Sequence, residues 1–274
     1  MKNKSILLLA LCLCLALCGC RGSASLPGPE PVTVETPTAV EPQPMDNTLL
    51  FSYEGKVPKT MYQYYSENPD TIGWLKIPNT KTDNIVMLGQ KRKAYPIGSQ
   101  GQNHYLDYSF YHARRTAGEL YIDHRCRITP DFLSQNMTIY GHHMRNGTML
   151  AEIDRYKQES YFHDHPYFMF QTLWDTYYFK VFGVFTVNLL VPEDANFDYR
   201  QPNYGDGFAD FIKEVKNRSY YDTGVDVPAD SKIISLSTCT YPTGNPAVDD
   251  ARLVVMGRIC TDPKEIEEAK QHCQ

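Results

Sequence analysis

The sequence predicts a mainly β domain, a closed or nearly closed barrel with few helices. Short runs rich in Val, Ile, Tyr and Phe recur along the chain, with turn residues between them. Only one segment shows clear helical spacing, with Phe208, Phe211, Ile212 and Val215 falling on one face. Twenty tyrosines lead an aromatic content of 12%, and tyrosine suits half-buried sheet surfaces. Many short strands with few helices favour closure, because a closed sheet leaves no unpaired edge.

The first element is a targeting segment, residues 1–20. Lys2 and Lys4 precede an uncharged apolar run from Ile6 to Cys18. That run is short of the roughly 20 residues a membrane span needs, and it reads as the apolar region of an export signal. It closes in Leu17-Cys18-Gly19-Cys20, which resembles a bacterial lipobox. The resemblance implies a lipid on Cys20 and a new N-terminus there. An uncleaved signal anchor is the alternative. Both attach the chain to the membrane and put the domain on the outer face of the bacterial cytoplasmic membrane.

Residues 21–47 form a linker in which Pro27, Pro29, Pro31, Pro37, Pro42 and Pro44 alternate with small and acidic residues. Such a stretch buries no core and tends to an extended chain, with a reach of up to roughly 80 Å. The folded domain is expected over residues 48–262. A helix is expected from Thr60 to Glu67, stopped at Asn68-Pro69-Asp70. Strands are expected at Ile72–Ile77, Asn84–Leu88, Gly118–Asp123, Met137–Tyr140, Tyr177–Asn188, Lys232–Thr238 and Arg252–Ile259. Both alternating sets of the Tyr177–Asn188 run are largely apolar, so that strand should be covered on both faces. A second helical stretch is expected from Thr148 to Tyr156. The Phe208–Val215 helix takes Asp206 as its expected N-cap. Residues 263–274 read as a polar helical tail.

The net charge is −5, and no basic stripe is present, which argues against a nucleic-acid partner. Four of the eight cysteines lie in the export segment; the others are Cys126, Cys239, Cys260 and Cys273. A disulfide joining Cys126 to Cys260 or Cys273 stays open. A domain of this size does not need such staples.

Three residues at strand edges carry candidate chemistry. Cys239 ends the apolar run Ile233-Ile234-Ser235-Leu236-Ser237-Thr238; His142 follows Tyr140-Gly141; Arg252 opens Leu253-Val254-Val255. They supply a nucleophile, an acid/base and a fixed positive charge, which is the minimum for acyl transfer through a thioester. Singly each has a blander reading: a packed thiol, a surface imidazole, a solvated guanidinium.

Their neighbours make the set specific. Leu236-Ser237-Thr238-Cys239-Thr240-Tyr241 resembles the Cys motif of sortases. Asn136-Met137-Thr138-Ile139-Tyr140-Gly141-His142 resembles their His motif, and Asp250-Ala251-Arg252-Leu253-Val254-Val255 their Arg motif. Asn68-Pro69-Asp70-Thr71-Ile72-Gly73-Trp74-Leu75-Lys76-Ile77-Pro78 resembles the opening of class B sortases, and the Phe208–Val215 helix lies where that class carries a helix before the cysteine strand. The resemblance spans most of residues 58–260. It implies an eight-stranded sortase-type barrel with an N-terminal helix, and a cysteine transpeptidase. In that reading Cys239 attacks the threonine carbonyl of a C-terminal sorting signal on an exported protein. His142 protonates the leaving amine, Arg252 holds the oxyanion, and a peptidoglycan-precursor amine accepts the acyl group. The chain departs from the family pattern in carrying His143 after His142, in its lipobox-like leader, and in a loose match at Tyr105–Phe110.

Three rivals are weaker. L,D-transpeptidases also use Cys, His and Arg, but their His-Gly and Ser-x-Gly-Cys runs lie close together, unlike this chain. A zinc site from His142, His143, His163 and His165 lacks a His-Glu-x-x-His pattern, and Pro166 makes that region loop-like. A non-enzymatic ligand-binding surface lipoprotein would leave Cys239 unexplained. No cofactor is called for by any motif.

Overall fold

Strand pairing decides the architecture, and it is described by a computed structural model for Tyr53 and residues 59–89, 104–245 and 249–274. The expected export segment and linker lie outside these residues. The helices are α1 (Met61–Glu67), α2 (Glu159–Asp164), α3 (Pro192–Ala195), α4 (Phe208–Arg218) and α5 (Pro263–Cys273). The strands are β1 (Thr71–Lys76), β2 (Asp83–Leu88), β3 (Leu120–Ile122), β4 (Ile128–Thr129), β5 (Phe132–Leu133), β6 (Asn136–Tyr140), β7 (Tyr167–Thr172), β8 (Thr176–Asn188), β9 (Ile233–Thr240) and β10 (Ala251–Ile259). Eight of them close a barrel in the order β1-β2-β3-β6-β9-β10-β8-β7, and β4 and β5 form a separate small hairpin. The expected closed, mainly β fold is therefore present. Two barrel pairs are parallel, β2 with β3 and β6 with β9. The seam closes where β1 pairs antiparallel with β7.

The start of the domain follows from local chemistry. Thr60 caps α1 in a reciprocal box with Gln63: the Thr60 hydroxyl accepts from Gln63 N (3.3 Å), and Gln63 Oε1 accepts from Thr60 N (2.9 Å). The helix ends at Asn68, as expected before Pro69. Trp74 of β1 and Ile85 and Met87 of β2 then pack outward with Tyr64 of α1, while Leu75 and Val86 point into the main core. Both faces of these strands are thus buried.

Strand β7 is absent from the sequence expectation. Every residue from Tyr167 to Thr172 is buried, so the strand shows no inside–outside alternation, and Pro166 precedes it. The β8 expectation holds: its interior positions are buried on both faces. One covering element is α4, which buries Phe208, Phe211, Ile212 and Val215. Burial of each such side chain contributes about 1.5–3 kcal/mol. Gly183 lets the helix approach, since a Cβ there would lie 2.6 Å from Val215 Cγ1. Helix α4 departs from expectation at its start. A 3-10 turn at Gly205–Gly207 runs directly into it, so Asp206 sits inside that turn and Gly207 occupies the cap without a side-chain bond. The expected helix at Thr148–Tyr156 is instead a 3-10 helix at Ala151–Lys157.

The polar C-terminal stretch forms α5. Asp262 caps it by accepting from Lys264 N (2.9 Å) and Glu265 N (3.1 Å). Ala269 and Cys273 are buried, and Glu265 pairs with Arg258 of β10 at 2.6 Å. Cys126, Cys239, Cys260 and Cys273 are all unpaired thiols. Among the described residues no helix is long and apolar enough to cross a membrane.

Replacing Gly183 by Ala should lower unfolding free energy by about 1–3 kcal/mol, because the new methyl overpacks against Val215. Adding Val215→Ala should recover part of that loss. Denaturant titration of the single and double variants reads the coupling, and purely additive losses would contradict the contact.

Candidate active site

The three candidate residues lie on neighbouring strands at one level of the barrel. Strands β9 and β10 pair antiparallel, and Cys239 is directly opposite Arg252. Directly paired residues share a face of the sheet, so these two side chains stand side by side. Strand β6 runs parallel to β9 on its other side, with Tyr140 opposite Ser237. His142 lies two residues beyond Tyr140, and Cys239 two beyond Ser237. The contact continues past the strand end: Gly141 N donates to Ser237 O (3.3 Å), and the Thr238 hydroxyl donates to Gly141 O (2.9 Å). The matched register brings His142, Cys239 and Arg252 abreast.

Gly141 is required here by space. A Cβ would lie 2.4 Å from Leu120 Cδ2 and 2.9 Å from Leu150 Cγ, so any side chain would push the His142 segment off the sheet. His142 is half-buried, and its Nε2 lies 2.9 Å from the Leu106 carbonyl oxygen. A carbonyl only accepts, so Nε2 carries the proton and Nδ1 is left as the ring's basic nitrogen. Its neighbour His143 bonds Asp154 Oδ2 at 2.9 Å. That hydrogen bond raises the His143 pKa above the usual imidazole value.

Arg252 is buried at 9% exposure, which for a guanidinium requires partners. Its Nη1 donates to Ala251 O (2.8 Å) and its Nη2 to Asp250 Oδ1 (2.7 Å). These bonds fix the orientation of the fork beside Cys239, and its remaining N–H groups can serve an incoming oxyanion. Cys239 is half-buried, unlike Cys126, Cys260 and Cys273. Burial pushes the thiols of those three up to about 12.

A tyrosine floor supports the site. Tyr121 of β3 pairs with Tyr140 of β6, their ring centroids 5.3 Å apart, on the same level as Ser237. Buried Tyr199 shares a hydrogen bond with the Ser237 hydroxyl (2.9 Å). Tyr140 donates to Asp123 Oδ2 (2.9 Å), and Arg125 grips the same carboxylate from Nε (2.9 Å) and Nη2 (3.0 Å). Burial alone would raise the Asp123 pKa, but the Arg125 hydrogen bonds outweigh it and hold the group below the usual carboxylate value. Burial drives the phenols of Tyr121, Tyr140 and Tyr199 upward, so all three remain neutral. None of this support was read from sequence. Asp250, Gly141 and Tyr140 lay inside quoted motifs and Leu106 inside the loosely matched Tyr105–Phe110 stretch, but Tyr121, Tyr199 and Asp123 gave no local signal.

The histidines weighed as zinc ligands are dispersed. His163 lies 3.7 Å from Glu159, and His165 stacks on Tyr161 with ring centroids 4.2 Å apart. Among the described residues no group of three or more His, Cys, Asp or Glu side chains is arranged to hold a metal ion.

A half-buried thiol flanked by an imidazole and an anchored guanidinium can perform acyl transfer. No protein-family model matches the chain. Two curated relatives do. Sortase B of Listeria monocytogenes is 28% identical over 210 residues, covering 76% of both chains. Sortase B of Staphylococcus aureus is 26% identical over 178 residues, covering 63% of this chain and 64% of that enzyme. Among solved structures, the Listeria monocytogenes sortase B superposes with a TM-score of 0.57 at 27% identity, covering 73% of this chain and 99% of that one. A Staphylococcus aureus sortase B–substrate complex gives 0.61 at 23% identity, covering 73% and 84%. Its closed eight-stranded barrel and its likeness to these enzymes along three quarters of its length support a class B sortase, a cysteine transpeptidase.

Proposed function

We propose that Cys239 is the nucleophile, His142 the acid/base and Arg252 the oxyanion partner of this transpeptidase. The observation that carries the reading is the direct pairing of Cys239 with Arg252, with His142 abreast on the parallel strand. The Cys239 thiol cedes its proton to His142 Nδ1, and the thiolate attacks the carbonyl carbon of the sorting signal's threonine, whose oxygen gains the negative charge that Arg252 N–H groups receive. As the C–N bond breaks, His142 gives its proton to the departing amine and a thioester remains. An acceptor amine then loses a proton to His142 and attacks the thioester. Cys239 leaves as thiolate, which regenerates the site.

The donor in this reading is an exported protein with a C-terminal sorting signal, and the acceptor is a peptidoglycan-precursor amine. Sortase B of Staphylococcus aureus has been solved with a substrate, and a sortase B has been solved with triglycine, which accords with such a donor–acceptor pair. Sortases act on the cell-surface side of the membrane. The Ile6–Cys18 apolar run and the Leu17–Cys20 lipobox-like ending support attachment there through residues 1–20, with a lipid on Cys20. Residues 21–47 then act as the spacer to a catalytic domain over 48–262. The binding-protein and L,D-transpeptidase readings gain no support from the relatives.

The test exposes the purified protein to a pool of peptides containing Pro-x-Thr and weighs it intact. A thioacyl adduct on Cys239 that hydroxylamine discharges is the expected result. A folded protein with no adduct from any peptide would sink the proposal. Cys239→Ala should lose all turnover and keep a wild-type melting curve, since the side chain is half-buried at a strand end. His142→Ala should lose at least about 100-fold in turnover, the usual scale of general acid–base catalysis. His143→Ala should lose about tenfold or less; equal losses would assign the acid/base role wrongly.

A further inference from the structure

A chain of polar side chains connects the residue after His142 to the residue after Cys239. His143 Nε2 lies 2.9 Å from Asp154 Oδ2. Asp154 Oδ1 lies 2.8 Å from Lys157 Nζ, and Lys157 Nζ donates to the Thr240 hydroxyl at 2.9 Å. Asp154 and Lys157 both belong to the 3-10 helix Ala151–Lys157. The backbone brings that helix back to the site: Leu150 N donates to His142 O (3.1 Å), and His143 bridges Met149. The two ends of the polar chain are therefore sequence neighbours of the two reacting side chains, on strands that themselves run side by side.

We propose that His143, Asp154, Lys157 and Thr240 form a positioning network that fixes the mutual geometry of His142 and Cys239. The inference rests on the transpeptidase roles given above for those two residues. Its energetic weight in stability is small, because the side chains of His143, Asp154 and Lys157 are 26%, 37% and 30% exposed. Its leverage is geometric. The thiol and imidazole must reach one carbonyl together, and a displacement of about 1 Å can cost on the order of 100-fold in rate. Thr240 is buried, so its end of the chain is anchored in the strand.

The network carries a pH dependence whose sign follows from its charges. The groups facing His143 are Asp154, whose hydrogen bond favours the imidazolium, and Lys157, which opposes it more weakly. Burial would raise the Asp154 pKa, but hydrogen bonds from His143 and Lys157 hold it below the usual carboxylate value, so it is charged throughout the neutral range. His143 has a raised pKa, so the charged link is complete below the ordinary imidazole value and is lost as pH rises through the raised one.

The test is a double-mutant cycle on the two ends, His143→Gln and Thr240→Val. It is read as turnover of the Pro-x-Thr peptide that acylates Cys239 most, with hydroxylamine as acceptor. Each single variant should lower kcat about tenfold with little change in KM, and the double variant should be no worse than either. Thr240→Ser keeps the hydroxyl and should retain wild-type kcat. His143→Gln should also lose the part of the wild-type alkaline decline that belongs to His143, running flat at the reduced rate. Should Thr240→Val fail to fold, Lys157→Met severs the same link from a half-exposed side chain. Multiplying losses, or a His143→Gln profile that keeps the wild-type decline, would overturn the network in an enzyme that still turns over. A wild-type protein that turns over no such peptide would overturn the transpeptidase roles and this inference with them.

Discussion

The parallel pairing of β6 with β9 is the constraint on which the rest depends. Parallel neighbours cannot be joined by a tight turn, so the chain must leave β6, travel, and return in the same direction. That excursion contains β7, β8 and α4, and β7 is the strand that closes the barrel on β1. A connection forced by strand direction thus supplies the closing strands. It also leaves both chain segments, 141–142 and 239–240, emerging from the same end of the barrel. Side-chain hydrogen bonds lock the pair: Ser235 Oγ to Asn136 Oδ1 at 2.8 Å, and Thr238 to Gly141 O at 2.9 Å. Asn136 also donates to the carbonyls of Tyr199 (2.8 Å) and Gln201 (3.2 Å), which ties the excursion back to the strand it left. The Asn136–Tyr199, Ser235–Asn136 and Thr238–Gly141 bonds are buried, so each of these left unmade would cost about 1–3 kcal/mol. A register slip would break them together, and it would also carry Cys239 to the opposite face.

Charge placement follows the same logic of local support. A buried guanidinium can receive a developing oxyanion, but it must be held in place by partners that replace its solvation. Asp250 and the Ala251 carbonyl do this from adjacent residues on the same strand end, so the clamp needs no distant element. On the other side His142 is oriented by a backbone carbonyl, Leu106, contributed by the 3-10 turn His104–Leu106. The carbonyl fixes the tautomer without adding a second negative group to the site. Beneath them Arg125 pairs with the Asp123 carboxylate, and the Tyr140 phenol donates to the same group.

The parts of this arrangement that were legible in sequence are those written locally. Cys239, His142 and Arg252 each end or begin an apolar run with recognisable neighbours, and α1 announces itself through Thr60, Gln63 and Pro69. Strand β7 escaped because it is buried on both faces and so lacks the alternation by which half-buried strands are read. The stretch at Thr148–Tyr156 has helical spacing but tightens to 3-10 geometry, where it also serves as a platform for Asp154 and Lys157. Asp206 has the right chemistry for a cap, yet the 3-10 turn at Gly205–Gly207 absorbs it. Partners such as Lys157 and Thr240 are far apart in the chain and meet only because the barrel closes. No local pattern could record that contact.

Burial also decides which cysteine is available for chemistry. Burial pushes the thiols of Cys126, Cys260 and Cys273 up to about 12, so they stay protonated at neutral pH. Those three pack as small apolar groups, Cys126 in the main core and the other two in the second cluster with Ala269 of α5. Cys239 differs because a strand end cannot be covered on every side, and what stands beside it is an arginine. The same fold that buries three thiols leaves the fourth half-buried beside a fixed positive charge, so topology separates the four cysteines with residue type held constant.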